Sequence, residues 1–230
     1  MTIAYLPIEI DVQLPDEQKI INYVKKYQLP TMTHLNGPRF DPWIGAPVMG
    51  RAKTEDWYNP DKFKEVFCNR LVPNTAPVEY ANNIDKEFPE LIYMINQLPM
   101  KEISVVMMLM QTTQVTAHTD NQPDDVILDP AWVSRDTEPR RYNIQLTKHG
   151  VSSFFVSETK TSEKIYPSIT KEMPCFLSCE QHHYHGADFV VEEKIMMCVL
   201  GIVDKERHLN NIKKNLEKHR ERAIIFPDPQ

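Results

Sequence analysis

Val105-Val106-Met107-Met108-Leu109-Met110 is an unbroken apolar run, and it leads through Gln111-Thr112-Thr113-Gln114-Val115-Thr116-Ala117 into His118-Thr119-Asp120. A run of this length reads as a buried strand. It falls far short of the roughly 18 apolar residues needed to cross a bilayer, so no membrane segment is expected. In an extended segment side chains alternate, which puts His118 and Asp120 on the same side. One imidazole and one carboxylate so placed can take two adjacent positions on a metal. A His-x-Asp tripeptide alone is weak, because it recurs by chance.

The surrounding composition narrows the classes. The chain has 230 residues with 41% apolar side chains, enough for one sizeable core and too many for a disordered chain. A formal charge of −6, from 26 basic and 32 acidic residues, argues against a dedicated nucleic-acid binder. Cys68, Cys175, Cys179 and Cys198 do not suggest a disulfide framework and are expected to be reduced thiols. The start, Met1-Thr2-Ile3-Ala4-Tyr5, lacks the basic region and apolar core of a secretory signal, which makes a cytoplasmic location the expectation. There are 18 prolines against 6 glycines, and neither GxGxxG nor GxxxxGK[ST] occurs, which argues against dinucleotide-binding and phosphate-loop folds. No GxSxG elbow supports a hydrolase triad.

Upstream, the chain reads as short helices between proline-marked turns. Residues 16–28 carry Ile20, Ile21, Val24 and Tyr27 on one stripe, with acidic residues leading and Lys25-Lys26 trailing. Residues 29–60 read as an ordered loop or short strands, 61–71 as a second helix and 89–98 as a third. Downstream, strands are expected at 141–146, 151–157, 174–178, 185–191 and 194–202. A helix over 205–222 follows, with Leu209, Ile212 and Leu216 on one face. Several short strands after a helical lead-in fit a sandwich or barrel. Residues 121–139, acidic and carrying Trp132, form a long candidate lid or recognition loop. One domain spans 1–230: a helical lead-in with loops over 1–100, a strand-rich core over 101–204, and a helix and tail over 205–230.

The His-x-Asp gains weight from Gln181-His182-His183-Tyr184-His185-Gly186, about 65 residues further on. Two histidines and one carboxylate on one face of a metal leave open positions for a chelating co-substrate and O2, the facial triad of non-haem Fe(II) oxygenases. His183 and His185 share parity, so either can face inward. A structural zinc site from Cys175, Cys179, His182 and His183 competes, though the spacing is not a standard zinc pattern.

From Glu90 to Asp204 the chain resembles the Fe(II)/2-oxoglutarate-dependent oxygenases, most of all their aspartyl/asparaginyl β-hydroxylase and proline-hydroxylase branch. The resemblance rests on Phe88-Pro89-Glu90-Leu91 and the strand into His118-Thr119-Asp120. It rests further on Arg140-Arg141-Tyr142-Asn143-Ile144-Gln145-Leu146, on Glu172-Met173-Pro174-Cys175-Phe176-Leu177, and on His185-Gly186-Ala187 with Lys194 beyond it. It implies a mostly β fold with supporting α-helices around a double-stranded β-helix, or jelly-roll, cupin-like core. It implies His118, Asp120 and His185 as Fe(II) ligands, His185 being preferred because His-Gly commonly opens the last core strand of the superfamily. Lys194 becomes the candidate for the remote carboxylate of 2-oxoglutarate, with Arg141 and Asn143 as further co-substrate contacts. Asn143 stands where the branch often has histidine, a departure. The implied activity is hydroxylation of an unactivated C–H, with Fe(II), 2-oxoglutarate and O2, on an amino-acid or peptide side chain. Oxidation of a nucleobase or small metabolite, and a non-catalytic jelly-roll binding protein, are the competing readings.

Overall fold

The apolar run at 105–110 fills the second half of a twelve-residue strand, Met100–Gln111, in the computed structural model, which describes residues 2–29, 43–59, 61–62, 77–119, 139–149, 153–178 and 183–227. In chain order the first elements are β1 (Thr2–Pro7), α1 (Glu17–Lys26), β2 (Trp43–Gly50), α2 (Thr54–Trp57) and β3 (Glu79–Tyr80). Next come α3 (Ile84–Glu87), α4 (Pro89–Asn96), β4 (Met100–Gln111), β5 (Val115–His118), β6 (Pro139–Gln145) and β7 (Phe154–Ser157). The chain closes with β8 (Cys175–Leu177), β9 (Tyr184–Ala187), β10 (Lys194–Val203), α5 (Lys205–Lys218) and β11 (Ile224–Phe226). The protein is mostly β with some helices. No helix among the described residues is long and apolar enough to cross a membrane.

Local chemistry accounts for the helix ends. The Asp16 side chain accepts from the Lys19 backbone N–H at 2.9 Å and caps α1, with Glu17 in the first turn and Lys25 and Lys26 in the last. Pro89 opens α4 at a position where a missing N–H costs nothing. Asp204 caps α5 by accepting from Arg207 N–H at 3.0 Å. The inward stripes, Ile20, Ile21, Tyr23 and Val24 on α1 and Leu91, Met94 and Ile95 on α4, are buried. Each such side chain contributes about 1.5–3 kcal/mol when fully removed from water.

The strands form an eight-stranded sheet, β11-β1-β8-β6-β10-β4-β2-β3, and a three-stranded sheet, β5-β9-β7. β10 is the axis of the large sheet. It runs antiparallel to β4 from Lys194↔Gln111 to Val203↔Met100, and to β6 from Met196↔Gln145 to Ile202↔Pro139. Alternation splits these strands between two cores. Ile195, Met197 and Val199, with Val106, Met108, Tyr142 and Ile144, pack against α1 and α4. On the opposite face Phe176 and Tyr5 meet Phe154 and Val156 of the small sheet, with Met196 packed against them. Helices, large sheet and small sheet are therefore three layers.

Several expected boundaries shift. The stretch around Trp43 to Gly50, within the predicted loop or short strands, is a full strand paired with β4 from Trp43↔Gln111 to Gly50↔Val105. The lead-in thus supplies strands to the large sheet as well as helices. The strand expected over 185–191 ends at Ala187, and the chain after α5 returns as β11 against β1. On α5 the buried residues are His208 and Asn215, while Leu209 is exposed. Most of the helix expected over 61–71, and the loop over 121–138, lie outside the described residues.

Candidate functional site

The turn after β4 reverses the chain into β5, and β5 pairs with β9 so that His118 lies directly opposite His185. β9 is the centre of the small sheet, with Val156 of β7 opposite His185 on its other side. Antiparallel partners face the same way, so His118, His185 and Val156 line the side turned to the large sheet. The two imidazole centroids are 4.5 Å apart with the rings inclined at 52°. Two imidazoles bound at right angles to one metal, with bonds of about 2.1 Å, place their centroids about 4.6 Å apart. The pair therefore fits a shared metal.

His118 Nδ1 is 2.8 Å from the Thr116 carbonyl. With Nδ1–H donating there, Nε2 keeps its lone pair for a metal, the usual way a ligand histidine is oriented. Gly186, next to His185, is required by close packing. A Cβ there would stand 2.5 Å from Phe155 Cζ and 2.6 Å from the Val115 carbonyl oxygen. The residue after the histidine must be glycine for β9 to lie this close to β5 and β7.

His183 is buried too, yet it serves another partner. Its Nε2 lies 3.2 Å from Ser178 Oγ, which donates to the Ala4 carbonyl at 3.0 Å. Its ring is 6.2 Å from that of His185 and 6.3 Å from Phe226. Cys175 belongs to the helix-side core, the face opposite to Phe176, and burial pushes its thiol pKa up. It cannot meet His183 at a zinc ion without turning its strand over, and Cys179 and His182 lie outside the described residues. Asp120 also lies outside them, and among the described residues no group of three metal-ligating side chains gathers.

Lys194 opens β10, opposite Gln111 at the end of β4. It is 5% exposed, and burial lowers its pKa from 10.5 to about 8. Among the described residues its Nζ has one hydrogen-bond partner, Ser153 Oγ at 2.9 Å, and no carboxylate. A buried ammonium with no carboxylate among the described residues can take an anion through its two further donors.

Arg141, Asn143 and Gln145 share one surface with Lys194, Met196 and Cys198. Pairing of Met196 with Gln145, Cys198 with Asn143 and Leu200 with Arg141 makes one continuous inner surface. Cys198 Sγ donates to Asn143 Oδ1 at 3.3 Å, while the buried Asn143 Nδ2 has no partner among the described residues. Arg141 lies opposite Leu200, six residues along β10 from Lys194, roughly 20 Å at about 3.3 Å per residue. The two cations thus stand at opposite ends of the inner surface. Gln111 and Ser153 went unnoticed in the sequence, although the inward parity of Met107 and Leu109 extends to Gln111.

No family model matches the chain, and no curated protein matches it. Among solved structures it is similar to a prolyl hydroxylase from Trichoplax adhaerens, in complex with a hypoxia inducible factor oxygen degradation domain peptide fragment. Identity there is 8% and the TM-score 0.44, over 91% of this chain and 87% of that one. It is also similar to an oxidoreductase of the 2OG-Fe(II) oxygenase family from Burkholderia pseudomallei, at 11% identity and a TM-score of 0.31, over 84% of this chain and 93% of that one.

Proposed function

We propose that the chain is an Fe(II)- and 2-oxoglutarate-dependent dioxygenase that hydroxylates an amino-acid or peptide side chain. The carrying observation is an opposed histidine pair on the small sheet together with a buried lysine at the start of β10 that has no carboxylate partner among the described residues. The strand order supports a double-stranded β-helix. From β4 onward successive strands alternate between sheets, β4-β10-β6-β8 in one and β5-β9-β7 in the other, with Ile165 bridged to Val156 as a further small-sheet partner.

In this reading His118, His185 and Asp120 hold Fe(II), the histidines by imidazole nitrogens on adjacent strands. Such a centre, with O2, supplies hydroxylation of an unactivated C–H coupled to decarboxylation of 2-oxoglutarate to succinate. The protein contributes binding and exclusion of water. Lys194 receives the remote carboxylate of 2-oxoglutarate, and Asn143, further along the same surface, offers its amide N–H groups. Arg141, at the far end from Lys194, is the second basic group of this surface and a candidate contact for the co-substrate or a substrate acid group. Phe154, Val156 and Phe176 place apolar surface between the sheets, which strengthens electrostatic contacts made there. The free thiols of Cys175 and Cys198 suit the reducing cytoplasm.

Anaerobic titration with Fe(II) and 2-oxoglutarate tests the reading. The expected result is the visible metal-to-ligand charge-transfer band of the chelate, with succinate formed when air is admitted. Neither band nor succinate would leave a jelly roll that binds without turning over.

A further inference from the structure

Behind Lys194 lies a hydrogen-bond chain of directed donors. Lys194 Nζ donates to Ser153 Oγ at 2.9 Å, and Ser153 Oγ donates to Gln111 Oε1 at 2.8 Å. Gln111 Nε2 then spends both hydrogens on backbone carbonyls, Asp188 at 2.6 Å and Thr113 at 3.0 Å. The backbone N–H of Asp188 returns to the Ser153 carbonyl at 2.8 Å. Gln111, Ser153 and Lys194 are 5%, 3% and 5% exposed, so water does not compete for these bonds.

The carbonyl ends of this chain matter most. Thr113 sits in the turn that launches β5, the strand of His118, and Asp188 directly follows β9, the strand of His185. One buried amide therefore ties the lysine to both strands that carry the histidine pair. Gln111 suits this task because an amide has one acceptor for the serine and two donors for the two carbonyls. With its proton committed to Gln111, Ser153 faces Lys194 as an acceptor only.

We infer that Gln111 and Ser153 are positioning residues that set the distance between the histidine pair and the Lys194 ammonium, and so select the chain length of the 2-oxo diacid bound between them. This inference rests on the oxygenase reading and deepens it. A rigid span discriminates between homologous diacids, because a shorter one cannot reach the ammonium while it chelates the metal, and a longer one must buckle. One methylene in a fixed site is commonly worth tenfold or more in discrimination. Without the chain, the lysine stem has several rotamers and reaches a range of lengths.

The test compares oxaloacetate, 2-oxoglutarate and 2-oxoadipate, each titrated anaerobically into the Fe(II)-loaded protein with the charge-transfer band as readout. In the unaltered protein 2-oxoglutarate should bind about tenfold or more tighter than either homologue. In Gln111→Leu and Ser153→Ala the three affinities should converge to within about threefold, with the Fe(II) affinity measured alone unchanged. Ser153→Ala removes one hydroxyl and leaves the Gln111 backbone ties, so it serves should Gln111→Leu fail to fold. Variants that keep the original ranking, or lose affinity equally for all three acids, would overturn the inference while the oxygenase reading stands. No band with any of the acids in the unaltered protein would remove both.

Discussion

His118 and His185 face each other across the β5–β9 ladder with ring centroids 4.5 Å apart, while His183 is turned to Ser178 on the large-sheet side. The three buried or half-buried histidines thus have different surroundings. His118→Ala and His185→Ala should each weaken Fe(II) binding by at least about 100-fold, more than loss of an outer partner costs. His183→Ala should leave Fe(II) affinity within about threefold and instead lower stability by about 1–3 kcal/mol, because Ser178 loses a buried partner. Anaerobic metal titration and urea unfolding separate the two effects. Loss of metal binding in His183→Ala with retention in His185→Ala would reverse the assignment.

Lys194 holds a buried charge that works against folding. Its pKa is lowered from 10.5 to about 8 by burial. At about 1.4 kcal/mol per unit, keeping it protonated at neutral pH costs the folded state about 3 kcal/mol. Lys194→Met, similar in length and neutral, should raise stability by about 1–3 kcal/mol and abolish 2-oxoglutarate binding. A variant that is both less stable and still able to bind would show that the lysine is structural.

The same burial fixes a pH dependence with opposite signs for folding and binding. Between pH of about 8 and 10.5 the unfolded chain holds the Lys194 proton and the folded chain has released it. Stability therefore rises with pH across this window, and below about 8 the full penalty is present. Ligand binding needs the ammonium, so 2-oxoglutarate affinity should fall by up to about tenfold per pH unit above that pKa. Lys194→Arg, which stays protonated throughout, should flatten the binding profile. A lysine protein with a flat profile would contradict the assignment.

Gly186 offers a test of how the histidine pair is held. In Gly186→Ala the new methyl group would meet both the Phe155 ring and the Val115 carbonyl, and the latter cannot rotate away. Stability should fall by about 1–3 kcal/mol. Fe(II) affinity should fall as well, because β9 is pushed from β5 and His185 with it. Fe(II) affinity unchanged in a folded Gly186→Ala protein would show that the pair does not depend on this approach.

Some of this was legible along the chain. Strand and helix signals come from local periodicity, so the apolar run at Val105–Met110, the Asp16-capped helix and the strand from Lys194 are visible in their own residues. Parity within one strand is likewise local: Arg141, Asn143 and Gln145 share a side, as do Lys194, Met196 and Cys198. β2 was less plain, because Gly45, Pro47 and Gly50 interrupt its apolar pattern and only pairing with β4 makes it a strand. Whether two strands' inward sides coincide is a matter of register, fixed by contacts far apart in sequence. The pairing of Cys198 with Asn143 merged two parity sets into one surface and sent Arg141 and Lys194 to opposite ends of it. Pairing of β5 with β9 likewise chose His185 to face His118, although His183 has the same parity. Residue types announced the chemistry of metal, acid and base; the hydrogen-bonded ladders set which of those groups meet, because distance across a sheet is not written in distance along the chain.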